Sequence, residues 1–262
     1  MQTEFHYFEI IDCHVHPFLT SPNNTSWFPG TDTPESFFAE LERAGISRCC
    51  GSVIRKLANP SFEDIKALNR ETIELKNRFP KTYIPGINVH GNYPEESCRE
   101  IELLHKTENI RWIGELVAYF MDYSSYSTPA MFQIFDLAQN LDLPVNIHPG
   151  DFNEMAKICT AFPKLKVVVA HPSDGKDNML ARFELVKKYP NAYLDLSGSG
   201  VFRWGMLRQG LNMAGKDKFL FGSDFPICNP SMMIQGIMFE HLSDSELEAV
   251  FSGNFKRLTG IQ

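Results

Sequence analysis

The first apolar run of the chain, IIDCHVHPF (residues 10–18), carries two histidines separated by one residue. In a β-strand the side chains alternate between two faces, so His14 and His16 lie on the same face. Imidazole is the commonest metal ligand among protein side chains. The spacing therefore predicts a ligand-binding face, and further donors must come from other parts of the chain.

Four further apolar runs carry residues of the same chemical kind near their ends. Glu115 lies within the run IRWIGELVAYF, and His148 ends the run in LPVNIHPGD. His171 lies in LKVVVAHPSDG, and Asp224 lies in KFLFGSDFP. Imidazoles and carboxylates around one cavity are typical ligands of Zn²⁺, Mn²⁺ and Fe²⁺. We expect a divalent metal site, with Zn²⁺ as the first choice and an open position that holds water.

These donors need a framework that brings several strand ends together. The predicted strands cover residues 9–16, 46–54, 82–89, 110–118, 143–148, 165–171, 192–197 and 218–224. The predicted helices cover residues 34–44, 61–79, 95–106, 129–141, 153–162, 177–189, 203–214 and 231–239. Eight strand–helix units in 262 residues predict one α/β domain, residues 1–262, folded as a (β/α)₈ TIM barrel. The segment after Ser243 predicts one or two extra C-terminal helices.

The barrel also predicts where the donors meet. Catalytic residues of this fold lie at the C-terminal ends of the strands, where the donors identified above fall. Side-chain alternation predicts that Val167 and Val169 point into the barrel together with His171. The same argument places Leu220 inside the barrel below Asp224. An open doubly wound sheet would need a glycine-rich loop after its first strand, and DCHVHPF is not such a loop.

Composition excludes several classes of partner. The net charge is −7, and no long run of either sign occurs, which argues against a nucleic-acid or membrane partner. The six cysteines form no CxxC pair, and no signal peptide is recognised before the first strand. We therefore expect a cytoplasmic protein that acts on a small molecule. The sequence leaves the formation of a homo-oligomer open.

Three further residues are candidates for substrate binding. Arg55 ends the second predicted strand and could bind a substrate carboxylate, although a solvated loop explains it equally well. His90 ends the third predicted strand and could line the pocket, with polar surface as the alternative. Trp27 lies in the long loop LTSPNNTSWFPGTDT after the first strand, as part of a lid or as a buried aromatic anchor.

The motifs IIDCHVH, HPSDG, FGSDFP and SGNFKRLTG resemble those of the amidohydrolase superfamily over nearly the whole chain. They are most similar to the amidohydrolase-related branch (amidohydrolase 2) that includes aminocarboxymuconate-semialdehyde decarboxylase. The resemblance implies one or two metal ions, the first bound by His14, His16 and Asp224. His148 would join this set or bind a second ion, and Glu115 would bridge the two ions. His171 would bind the second ion or act as a catalytic acid or base.

Together these features predict a metal-dependent hydrolase of a small-molecule amide, ester or lactone. Metal-activated hydroxide would attack the carbonyl carbon, while Asp224 shuttles the proton. The first alternative is a mononuclear decarboxylase or hydratase in which His171 acts on the substrate and Glu115 is structural. The second alternative is a barrel that binds a metal without catalysis. A count of two metal ions per chain would favour the hydrolase, and a count of one would favour the lyase.

Overall fold

The computed structural model describes residues 8–20, 26–28 and 30–262. Strands and helices alternate through this part of the chain, as predicted. The strands are β1 (Ile11–Asp12), β2 (Arg48–Gly51), β3 (Tyr83–Pro85), β4 (Ile113–Leu116), β5 (Val145–Ile147), β6 (Val167–Val169), β7 (Ala192–Asp195) and β8 (Phe219–Leu220). Each pairs in parallel with its neighbour in the chain, in the orders β1-β2-β3 and β4-β5-β6-β7-β8.

Isolated backbone bridges connect these two groups of strands. Ile87 pairs in parallel with Ile113 between β3 and β4, and Val15 pairs with Phe225 between β8 and β1. The amide of Cys13 donates to the carbonyl of Phe221 at 2.9 Å on the same seam. The strands are only two to four residues long, so regular ladders do not cross these seams. The architecture is the predicted (β/α)₈ TIM barrel.

The helices lie between the strands at the predicted places. They are α1 (Pro34–Arg43), α2 (Phe62–Arg78), α3 (Pro94–Glu108), α4 (Pro129–Asn140), α5 (Phe152–Ala161), α6 (Lys176–Lys188), α7 (Met206–Ala214) and α8 (Pro230–Phe239). Thr33, Ser61 and Thr128 cap α1, α2 and α4 by accepting a backbone N–H. Among the described residues, no helix combines the length and the apolarity that crossing a membrane requires.

The strands divide their apolar side chains between two clusters. The smaller cluster joins side chains from opposite strands, which can meet only inside a barrel. It contains Ile11, Cys13, Cys50, Trp112, Val168, Leu220, Phe255 and Leu258. The larger cluster combines alternate strand residues, such as Val145 and Ile147, with the apolar faces of the helices. The barrel interior is therefore packed below the level of the predicted donors.

The prediction of which β6 residues point into the barrel is wrong. Val167 and Val169 belong to the larger, helix-facing cluster, whereas Val168 lies in the inner one. His171 has a φ of +64°, outside the β region, so the alternation of β6 does not continue to this residue. The prediction for the last strand is correct, because Leu220 lies in the inner cluster.

The C-terminal segment closes the opposite end of the barrel. Ser243 caps α9 (Asp244–Glu248) in a capping box with Glu246. A π-helical turn and α10 (Asn254–Thr259) follow. Phe255 of α10 packs against the Trp112 ring, with centroids 5.4 Å apart. These contacts seal the inner cluster at the end away from the predicted donors.

Candidate metal centre

The C-terminal strand ends bring the six predicted donors together. His14 and His16 follow β1, Glu115 lies in β4, and His148, His171 and Asp224 follow β5, β6 and β8. The imidazoles of His14 and His16 and the carboxylate of Glu115 are buried. The exposed fraction of the side chain rises to 29% at His148, so the group opens to solvent on that side. We refer to these six residues as the donor cluster.

One half of the donor cluster surrounds a single oxygen of Glu115. The Nε2 atoms of His14 and His16 are each 3.4 Å from Oε2 of Glu115. These two nitrogens are 3.2 Å apart. Oδ1 of Asp224 lies 3.6 Å from Nε2 of His14 and 3.3 Å from Nε2 of His16. Two imidazoles and two carboxylates therefore converge on one small volume.

The other oxygen of Glu115 faces the remaining two histidines. Oε1 is 3.0 Å from Nδ1 of His148 and 3.3 Å from Nε2 of His171. The two histidine nitrogens are 3.2 Å apart. His148 therefore lies beside Glu115 and His171. Glu115 is thus shared by two pairs of imidazoles.

The pKa values of the donor-cluster residues depend on one another. Burial lowers the pKa of His14, but the carboxylates of Glu115 and Asp195 raise it well above its usual value. Burial raises the pKa of Glu115, but His14 and the hydrogen bonds from His148 and His16 hold it well below the usual range. For His171, burial again lowers the pKa and Glu115 outweighs this effect by raising it. Without a cation, protons on the imidazoles must balance the buried carboxylates.

The backbone at two donors is held in an uncommon conformation. His171 and Asp224 both have a φ of +64°, in the left-handed region. Gly198, which also has a φ of +64°, allows the His171 ring to approach closely, because a Cβ there would lie 2.5 Å from Nδ1 of His171. Such conformations concentrate at functional sites, where the surrounding structure maintains them.

Asp195, at the end of β7, is a buried residue of the site that sequence reasoning missed. Its Oδ2 lies 3.0 Å from Nδ1 of His14 and accepts a 2.8 Å hydrogen bond from Asn146. Its Oδ1 accepts from the backbone N–H of Ser197 at 3.1 Å and of His171 at 3.3 Å. The signal is present in the sequence, since YLDLSG places an acid near the end of the seventh apolar run.

Ser197 connects the two halves of the donor cluster from behind. Its Oγ lies 3.0 Å from Nδ1 of His14 and 3.0 Å from Nδ1 of His171. It also donates a short hydrogen bond to Asp195. Because Nδ1 of each ring is engaged here, Nε2 of each ring is directed toward Glu115. Groups behind a histidine ligand that fix its ring in this way are typical of metal sites.

Asp12 lies deeper in the barrel and ties two strand ends together. Its Oδ1 accepts from the backbone N–H of His14 at 3.0 Å and of Ser223 at 2.9 Å. Burial raises the pKa of Asp12 to about 7, against the lowering effect of these hydrogen bonds. The carboxylate thus holds the backbone beside His14 and Asp224 in register.

The donor set fits a divalent metal ion. His14, His16 and Glu115 form one group whose donor atoms lie within 4.8 Å of one another, and Glu115, His148 and His171 form another. Neutral imidazole and carboxylate are ordinary ligands of zinc, manganese and iron, so the donors do not select among these metals. The site is at the open rim of the barrel, where a metal could keep a position free for water or substrate.

A cavity of about 620 Å³ opens onto the donor cluster. His148, His171 and Asp224 form its polar floor. Its walls are mainly apolar and aromatic, and they include Trp27, Tyr119, Phe120, Phe202, Ile227, Met232 and Met233. A cavity of this size is typical of small-molecule sites, which commonly range from about 300 to 1,000 Å³.

The three predicted substrate-binding residues differ in position. Trp27 lines the cavity, with 80% of its side chain exposed, whereas residues 21–25 and 29 of its loop lie outside the described part. Among the described lining residues, neither Arg55 nor His90 occurs. Arg55 forms a salt bridge with Glu71 at 2.7 Å. His90 is buried, with Nε2 2.6 Å from the carbonyl of Met121 and Nδ1 accepting from the amide of Asn92.

Solved structures with the same fold match nearly the whole chain. The 2,6-dihydroxybenzoate decarboxylase from Rhizobium is 15% identical, with a TM-score of 0.72, over 97% of this chain and 99% of that one. The dihydroxybenzoic acid decarboxylase from Polaromonas sp. JS666, solved with bound manganese and the inhibitor 2-nitroresorcinol, is 16% identical, with a TM-score of 0.70, over 97% of both chains. The 4-oxalomesaconate hydratase from Rhodopseudomonas palustris is 15% identical, with a TM-score of 0.71, over 96% of this chain and 95% of that one.

At sequence identities of 15–16%, the similarity to these structures shows the fold alone. A comparison with curated protein sequences gives no match. The sequence model of the family described as "Amidohydrolase" matches residues 11–261, which is nearly the whole described barrel. The chain therefore belongs to the amidohydrolase family, as its motifs and its donor cluster predict.

Proposed function

We propose that this protein is a hydrolase of a small-molecule amide, ester or lactone, with two divalent metal ions bridged by Glu115. The observation that carries the proposal is the division of the donors by the two oxygens of Glu115. Oε2 faces His14 and His16 at 3.4 Å, and Oε1 faces His148 and His171 at 3.0 and 3.3 Å. Each oxygen of Glu115 thus has its own pair of imidazoles, so one ion could be held on each side of this carboxylate.

The cavity floor supplies the groups that the reaction requires. Divalent ions held by the donor cluster would supply Lewis acidity, which activates water and polarises a substrate carbonyl. Asp224 lines the cavity, and in this proposal it would accept a proton from the attacking water and return it to the leaving group. The 3.0 Å contacts of Asp195 and Ser197 with Nδ1 of His14 keep this ring oriented during the reaction.

The test is Asp224→Asn in the metal-loaded protein. The amide keeps the size of the carboxylate but cannot accept the proton, so turnover of the best ester, lactone or amide should fall about 10³-fold. Metal content should change little, because His14, His16 and Glu115 remain. The exposed Asp177→Asn serves as the matched control. An Asp224→Asn enzyme as active as this control would contradict the proton shuttle.

A second candidate is a mononuclear decarboxylase or hydratase. The solved relatives favour it over hydrolysis, because two of those described are decarboxylases and the third is a hydratase. In this case His171 on the cavity floor would exchange a proton with the substrate, and Glu115 would orient His171 and His148. Turnover of 2,6-dihydroxybenzoate or 4-oxalomesaconate by the metal-loaded protein, without hydrolysis of any ester, lactone or amide, would establish the lyase instead.

A further inference from the structure

The wall of the cavity beside the donor cluster is mainly apolar and aromatic, and the proposed function assigns this wall no role. Aromatic and thioether side chains from three different segments meet there. Tyr119 and Phe120 follow β4, Phe202 follows β7, and Met232 and Met233 belong to α8. Such side chains bind apolar groups by contact area, and the aromatic faces attract cations rather than anions.

Several of these side chains remain exposed at the mouth of the cavity. The exposed fraction is 55% for Phe202, 63% for Met232 and 62% for Tyr119. Large apolar side chains that are grouped and exposed often mark a ligand-binding surface, because burying them is favourable. Here they surround a concave space that leads to Asp224 and His171, so a bound molecule would cover them.

Away from the donor cluster, the described lining of the cavity offers no cationic side chain. Asp174 and Asp224 are the acidic residues of this lining, His148 and His171 lie on its floor, and no lysine or arginine occurs among its described residues. The guanidinium carbon of Arg203 lies 5.0 Å from the Phe202 ring centroid, but Arg203 lines a neighbouring cavity with Trp204. A substrate with a carboxylate at its far end would lose hydration without gaining a counter-charge.

We propose that the substrate carries no negative charge away from its reacting carbonyl, and that this carbonyl is attached to an aromatic or branched apolar group. This inference rests on the proposed function and names the substrate class of the same site. The reacting carbonyl lies against the donor cluster, and the apolar group lies between Phe202 and Met232. A cavity of about 620 Å³ accommodates one such molecule but not an extended polymer.

The test uses two ketones that cannot be hydrolysed, 4-phenyl-2-butanone and its para-carboxylated analogue. Binding of each to the metal-loaded protein is measured by isothermal titration calorimetry. The neutral ketone should bind at least about tenfold more tightly, since the added carboxylate would be placed against an apolar wall without a counter-charge. Equal or tighter binding of the carboxylated ketone would overturn the proposal.

Variants locate the binding surface. Phe202→Ala and Met232→Ala should each weaken binding of the neutral ketone about tenfold. Phe239→Ala is the matched control, because Phe239 is 74% exposed and lies outside this lining. If Phe202→Ala and Met232→Ala bind the ketone as well as Phe239→Ala does, the proposed surface is wrong.

The same materials separate this inference from the proposed function. Esters with a phenylethyl group and the para-carboxylated esters are assayed for hydrolysis by the wild-type protein. Selective ketone binding without hydrolysis of any ester, lactone or amide supports the substrate class and contradicts the hydrolase. Hydrolysis that favours the carboxylated esters supports the hydrolase and overturns the substrate class.

Discussion

Asp195 contacts the donor cluster from behind and is not among the described residues that line the cavity. Its two oxygens accept hydrogen bonds from opposite sides, Oδ2 from Asn146 and Oδ1 from the amides of Ser197 and His171, and Oδ2 also lies 3.0 Å from Nδ1 of His14. An amide at this position would turn its NH₂ group toward one of these donors. We therefore infer that Asp195 positions His14.

Asp195→Asn should weaken divalent metal binding about 10- to 100-fold, the usual effect of losing the group behind a histidine ligand. Competition with a fluorescent chelator measures the affinity, and the exposed Asp177→Asn is the control. A merely structural role for Asp195 predicts lower stability with unchanged metal affinity. That result would contradict the positioning role.

Gly198 provides a second test at the scale of one residue. An alanine Cβ would lie 2.5 Å from Nδ1 of His171 and would displace its ring, in addition to the strain at a φ of +64°. Gly260 has a φ of +70°, and a Cβ added there would have no atom within 4 Å, so Gly260→Ala introduces the strain alone. Both variants should lose roughly 1–2 kcal/mol of stability from strain.

The two glycine variants should differ in metal binding. Gly198→Ala should lose more stability than Gly260→Ala in urea denaturation and should bind less metal when both are titrated under the same conditions. Equal metal binding by the two variants would show that the position of the His171 ring does not matter to the site.

At the scale of elements, the sequence predicts the helices more closely than the strands. The helix starts are marked by Thr33, Ser61 and Thr128, whose side chains accept a backbone N–H, and these local signals are read directly. The strands are shorter than their apolar runs, because each run continues beyond the ladder into the loop at the rim. The interior of β6 could not be predicted, since the left-handed backbone of His171 interrupts the alternation.

Contacts between elements that are distant in the chain also could not be predicted from the sequence. The end of a predicted strand suggests a substrate contact for Arg55, but Glu71 on α2 pairs with it at 2.7 Å. The same reasoning places His90 in the pocket lining, but its ring is held by the carbonyl of Met121 and the amide of Asn92. Glu71 and Met121 reach these residues only through the packing of α2 and of the loop after β4. Single residue types at strand ends do not reveal this packing.

Glu246 links the cap of α9 to α7 and makes the stability of the folded protein depend on pH. Hydrogen bonds from Arg208 and from the backbone of Ser243 lower the pKa of Glu246 from 4.5 to about 2. Because the folded-state pKa is depressed, the stabilisation is present above pH 4.5 and is lost as the pH falls toward 2. The pair is partly exposed, so solvent screening limits its contribution to about 1 kcal/mol.

Glu246→Gln should therefore be about 1 kcal/mol less stable than the wild type in urea denaturation at pH 7. The difference should shrink as the pH is lowered from 4.5 toward 2. Glu248→Gln, on the same helix, is the control. A difference between wild type and Glu246→Gln that stays constant over this range would contradict the assigned pairing with Arg208.

At the scale of the whole molecule, barrel closure creates the site. His14 and Asp224 lie at opposite ends of the sequence, and the seam between β8 and β1 places the amide of Asp224 2.8 Å from the carbonyl of His14. The sequence predicts this convergence from the order of the strand ends alone. It does not predict that the two oxygens of Glu115 face different pairs of histidines, because this depends on the orientation of one carboxylate.

The number of metal ions per chain tests the central claim most directly. The wild-type protein, Glu115→Gln and the control Glu100→Gln are loaded with Mn²⁺, and metal analysis is combined with anomalous diffraction. The account predicts two ions per chain, one on each side of Glu115, in the wild type and in Glu100→Gln. It predicts one ion or none in Glu115→Gln. A single ion held by His14, His16 and Asp224, bound equally well by Glu115→Gln, would contradict it.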